Sequence, residues 1–105
     1  MKTSILLILI SIALSGCGAT EHLSDNAKMV REINSDWKNQ CHFMGSDQST
    51  FTTGPSSRST IRLNGKIHMK NKIAEKGGNA YNITEGKFGF GNYTAYYEMY
   101  KCKEF

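Results

Sequence analysis

A chain of 105 residues, with 13 lysines and arginines against 9 aspartates and glutamates and a formal net charge of +4, has room for one small domain and is only mildly basic. Such a balance does not by itself indicate a nucleic-acid partner. A core of this size is marginal and calls for a covalent staple, which three cysteines are able to supply.

The N-terminus carries Met1-Lys2 and then an apolar stretch from Ile5 to Leu14, closed by Ser15-Gly16-Cys17. A positive start, a short apolar run and small residues form the layout of a secretory signal. The run is well short of the roughly twenty residues that a membrane-spanning helix needs. The ending Leu14-Ser15-Gly16-Cys17 resembles the lipobox of bacterial lipoproteins. That resemblance implies acylation of Cys17, removal of residues 1–16 and attachment to a bilayer. Each buried methylene contributes about 0.8 kcal/mol, so two or more chains hold firmly. Gly18, in place of the aspartate that often marks inner-membrane retention, leans towards the outer membrane if the host is Gram-negative. Residues 17–27 read as a lipidated tether, and residues 28–105 as the folded domain.

Lys28 to Ile33 alternates weakly and suggests a first strand. Cys41-His42-Phe43-Met44 begins a second strand that continues past Gly45. Thr52 to Ser59 is rich in Ser and Thr, contains Gly54 and Pro55, and reads as a loop. A helix is expected within Thr60 to Lys76, best supported from Gly65, with Asn64 as its cap and Gly77-Gly78 as its stop. Asn79 to Glu85 reads as a strand, Gly86 to Asn92 as a glycine-rich connection, and Tyr93 to Cys102 as the strongest strand, dense in tyrosine. The strand–helix–strand crossover makes its two strands parallel, and the closing hairpin turns the last strand antiparallel to both. The fold class is therefore α+β, with one main helix packed on a small three- to four-stranded mixed sheet.

With Cys17 acylated, Cys41 and Cys102 remain, and export to an oxidising compartment makes a disulfide between them the default. The topology agrees, because it brings the start of the Cys41 strand and the end of the Cys102 strand to the same end of the sheet. Three further motifs, Cys41-His42-Phe43-Met44-Gly45, the helix end Ile73-Ala74-Glu75-Lys76-Gly77-Gly78-Asn79-Ala80-Tyr81 and Met99-Tyr100-Lys101-Cys102, complete a pattern. In that order, behind a lipobox, it resembles a family of small bacterial outer-membrane lipoproteins of unknown function. That family is related in fold to the Rcs envelope-stress sensor lipoprotein. The resemblance implies the same disulfide and an outer-membrane anchor, and it carries over no catalytic residue. It implies a cell-envelope location, on the periplasmic side, with the membrane as the first partner.

For chemistry the sequence offers little. His22, His42 and His68 stand apart from Cys, Asp and Glu at metal-ligand spacing, so neither a metal nor a cofactor is expected. No glycine-framed nucleophile or carboxylate pair suggests an enzyme. The notable polar feature is the basic series Arg58, Arg62, Lys66 and Lys70. Helical projection puts Leu63, Ile67, Met69, Ile73 and Ala74 on one arc with Lys66 and Lys70 inside it, and Asn64, His68, Asn71, Lys72 and Glu75 opposite. The two lysines either offer cations to an anionic partner or lay their methylenes along the core edge. Phe88-Gly89-Phe90 either inserts into a partner or folds back as a lid on the sheet. The expected role is a non-enzymatic interaction or sensor-like module that meets an envelope protein. The alternatives are a binder of anionic cell-wall or lipopolysaccharide groups and an inhibitor of a periplasmic hydrolase.

Overall fold

The computed structural model describes residues 20–103; Cys17 and the signal segment lie outside the described residues. A 3-10 turn at Ala27–Met29 leads into β1 (Arg31–Glu32), a single helical turn α1 (Ser35–Lys38), β2 (Cys41–Thr52), the main helix α2 (Arg58–Glu75), β3 (Ala80–Phe88) and β4 (Asn92–Cys102). The four strands form one sheet in the order β1-β3-β4-β2. β1 runs parallel to β3, while β4 is antiparallel to both β3 and β2. The α+β class, the crossover and the closing hairpin are as the sequence indicates. The first strand is reduced to Arg31–Glu32, because a 3-10 turn occupies its expected start, and α1 went unforeseen. β3 extends through Gly86 to Phe88, pairing Lys87 with Thr94, so the connection is confined to residues 89–91.

Two predictions about α2 are corrected. Its cap is Ser57, whose Oγ accepts from the Thr60 N–H at 3.3 Å, so the helix begins at Arg58 and Asn64 lies well inside it. Its buried face is Ile61, Asn64, Gly65, Met69 and Ile73, whereas Leu63 is 58% exposed. The reason is Tyr93. A Cβ on Gly65 would stand 2.7 Å from Tyr93 Cδ2, so the helix lies against the ring along its glycine. A hydrophobicity projection cannot see glycine as a contact. The helix stops as expected at Gly77, whose φ of +85° suits glycine.

The main apolar cluster joins Ile61, Met69 and Ile73 of α2 to Tyr81 of β3, to Tyr93, Ala95, Tyr97 and Met99 of β4, and to Val30. A second cluster on the opposite face of the sheet holds Ile33, Ala80, Tyr100 and Cys102, with Cys41 against it. No residue of β2 belongs to the main cluster. Its inward positions are Asp47, Ser49, Phe51 and, just beyond the strand, Thr53. Phe51 stacks near His68 with ring centroids 5.3 Å apart. Lys72 and Lys76 reach Asp47 from the helix. Among the described residues, no well-formed hydrogen bond reaches the buried hydroxyls of Ser49, Thr53 and Tyr97.

What holds β2 is therefore its backbone ladder to β4, these ion pairs, and the disulfide. Cys41 lies opposite Cys102 in the register and is bonded to it, closing a loop of 61 positions. β2 is also an edge strand. The N–H of Gln48 goes to the Asp47 carboxylate at 2.8 Å, and its carbonyl accepts from Lys72 Nζ at 2.8 Å. Side chains thus blunt the free edge at its middle.

Two outcomes follow from this packing. Removing the disulfide with a Cys41→Ser/Cys102→Ser pair should cost about 4 kcal/mol by chain-entropy arithmetic, read as a lowered urea midpoint; an unchanged midpoint would contradict it. Gly65→Ala gains up to about 1 kcal/mol in helix propensity but meets a ring that Phe88 backs at a 5.1 Å centroid distance. Overpacking of this kind costs about 1–3 kcal/mol, so the variant should be net destabilised in the same assay.

Candidate functional site

The end of the sheet remote from the disulfide gathers the polar and aromatic residues that the sequence singles out. β3 ends on Phe88, which is half-buried and packs on Tyr93. From the first turns of α2, the guanidinium of Arg58 lies 5.0 Å from the Phe88 ring centroid, and that of Arg62 5.6 Å. Guanidiniums over a ring gain about 0.5–1 kcal/mol at exposed sites, one to two times RT, which biases both charges towards this end of the sheet. Beyond Phe88, the turn presents Phe90 to solvent at 99% exposure. Two hydrogen bonds tie this turn to the loop before α2: Gly91 carbonyl accepts from Thr53 N at 2.9 Å and from Gly54 N at 3.1 Å. Phe90, Pro55, Ile61 and Gly91 line an apolar hollow of about 310 Å³ beside it. The tip thus combines two guanidiniums gathered on one ring with an unburied aromatic ring.

The two phenylalanines divide the roles expected of them jointly: Phe88 folds onto the sheet and Phe90 projects. The basic series divides as well. Arg58 and Arg62 converge on Phe88. Lys66 lines a shallow depression with Ser59, Arg62 and Leu63, and Lys70 is half-buried. Each four-residue step turns about 40° around a helix, so Lys70 lies about 120° round from Arg58 and leaves the patch. Of the series, Arg58 and Arg62 are the members the structure brings together on Phe88.

The segment before the first strand is not a plain spacer where it is described. The Glu21 N–H donates to Asn64 Oδ1 at 3.2 Å and the Ser24 N–H to Asn71 Oδ1 at 2.9 Å. Asn71 Nδ2 returns bonds to Glu21 Oε1 at 2.9 Å and the His22 carbonyl at 2.7 Å. His68 Nδ1 lies 3.7 Å from the same carboxylate. Residues 21–24 therefore form a strap along α2. This corrects the placing of Asn64 on a free polar face: it is only 6% exposed. Asn64 and Asn71 are seven positions apart, two turns of helix, and that spacing was the signal in the sequence for something polar lying along α2.

On the sheet's other face, Glu98 accepts from Lys38 Nζ at 3.2 Å, Tyr100 OH at 3.2 Å and Asn82 Nδ2 at 3.4 Å. Lys38, then Asn82, hold its carboxyl below the ordinary value of 4.5. Lys76 first, with the Gln48 N–H and Lys72, does the same for Asp47 against 3.8. Burial pushes the Tyr97 hydroxyl up to about 12, with the Asp47 carboxylate adding to it. His42 and His22 are exposed, and among the described residues no group of three or more His, Cys, Asp or Glu is placed to hold a metal ion. No helix among the described residues is long and apolar enough to cross a membrane.

No family model matches this chain, and no curated protein or solved structure shows significant similarity to it.

Depressed carboxyls stabilise the fold above their unfolded values, and that contribution is lost as pH falls through the folded ones. Stability should therefore begin to fall near the ordinary value of 4.5 for Glu98 and go on falling below the 3.8 of Asp47. An Asp47→Asn/Glu98→Gln pair should be less stable at pH 7 and lose less between pH 7 and pH 3, measured by urea midpoints. An equal loss in both proteins would contradict the assignment.

Proposed function

We propose that this chain is a non-enzymatic cell-envelope lipoprotein that holds a small stapled domain on a bilayer through Cys17. In this reading it meets an anionic component of the envelope with the tip of Arg58, Arg62, Lys66 and Phe90. The observation that carries the reading is the pair of guanidiniums gathered over Phe88 next to a ring at 99% exposure. A large unburied aromatic beside clustered cations costs solubility and is of use at an interface. The lipobox and the disulfide between Cys41 and Cys102 support an exported, oxidising setting.

Site-specific photocrosslinking in cells tests the proposal. A benzophenone amino acid at position 90 should give discrete adducts with an envelope component, and the same group at position 37, in α1, should not. Identical adduct patterns from both positions would defeat it.

A further inference from the structure

The strap has a direction. Residue 21 is bonded to Asn64, residue 24 to Asn71, and Asn26 lies by Ala74 and Gly77 near the end of α2. Followed backwards, the chain descends the helix towards its N-terminal turns, where Arg58 and Arg62 stand. Cys17 is four positions before Glu21, and four residues span at most about 14 Å. The anchor is therefore within reach of the N-terminal turns of α2, which carry Arg58, Arg62, Leu63, at 58% exposure, and Lys66, although Asn64 itself faces about 160° away from Arg62 and Lys66 around the helix.

From this we infer that the strap fixes the domain's orientation on its membrane, with the N-terminal half of α2 and Phe90 turned to the bilayer and the disulfide end turned away, and that the anionic component met by the tip is the phospholipid headgroup layer. The inference rests on the proposed acylation of Cys17. Its chemistry is that of an interfacial patch. Arg58, Arg62 and Lys66 suit phosphate groups, while Leu63 and Phe90 suit the boundary between headgroup and acyl chain. The carboxylate at that end of β3, Glu85, has Lys87 3.8 Å away, so it does not cancel the arginines. A tether free of the helix would let the domain tumble and would favour no face. Four hydrogen bonds from Asn64 and Asn71 remove that freedom.

The native Trp37, in α1 on the other side of the sheet, supplies the control. The acylated mature protein, residues 17–105, is placed in vesicles of phosphatidylcholine and phosphatidylglycerol containing dibrominated lipid, which quenches indoles at the interface. The Phe90→Trp substitution, in a Trp37→Phe background, should be quenched at least twofold, and Trp37 in the native chain should not. Neutral vesicles should weaken the quenching at position 90. So should Arg58→Glu/Arg62→Glu/Lys66→Glu, without releasing the protein from the vesicles. Asn64→Ala/Asn71→Ala should bring the two positions closer in quenching, with circular dichroism checking the fold.

Equal quenching of both positions, no quenching at position 90 on protein that floats with vesicles, or equal quenching in neutral lipid would overturn the inference. Protein that fails to float, and whose mass lacks acyl chains, would instead overturn the reading of Cys17 as an anchor. Adducts from position 90 with a protein alone would leave the tip an interaction surface and remove the bilayer as its partner.

Discussion

The attachment of β2 is the constraint around which this domain is organised. Apolar burial joins α2 to β3 and β4 but not to β2, whose inward residues are polar apart from Phe51. An edge strand of twelve residues with little apolar surface has weak grounds for staying in place. Its ladder to β4, the Asp47 ion pairs and the bond from Cys41 to Cys102 supply them. The crosslink sits where it has most effect. It pins the start of β2 to the end of β4, beyond the bulge at Phe43/Gly45, while Lys72 and Lys76 hold the middle.

This arrangement separates two ends of the molecule. At one, the disulfide, the stop of α2 and the clamp by Asn79 make a rigid corner. Asn79 Nδ2 donates to the Cys102 carbonyl and its Oδ1 accepts from the Cys102 N–H, both at 2.7 Å. At the other, two loops are tied together by backbone bonds to Gly91 and leave Phe90 in solvent. The stiff end stabilises, and the tip is free to carry recognition. In the reading proposed above, the strap along α2 decides which of them meets the membrane.

Much of the fold was legible because the chain punctuates itself plainly. Gly77-Gly78 ends α2, the tyrosine run makes β4, and the placing of Cys41 and Cys102 follows from the crossover and hairpin. The motif Gly77-Gly78-Asn79 also has a structural meaning: a positive φ, a close approach, and an amide that clamps Cys102. The site was legible only in part. Arg58, Arg62 and Phe88 were singled out separately, but their convergence depends on where Tyr93 seats the helix. Gly65 determines that seating, and a scale of side-chain hydrophobicity gives glycine no weight. The strap was legible only on the helix side, where Asn64 and Asn71 recur two turns apart. Which segment they hold was not, because their hydrogen bonds reach residues some forty to fifty positions away, and residues 21–24 carry no matching pattern.

Amide hydrogen exchange with and without reduction of the disulfide is the most direct measure of how β2 is held. The account predicts that, on reduction, the β2 amides paired with β4 lose protection first, while those of α2 and of the β3–β4 pairing keep most of theirs. Uniform loss across the domain, or β2 protection unchanged by reduction, would contradict it.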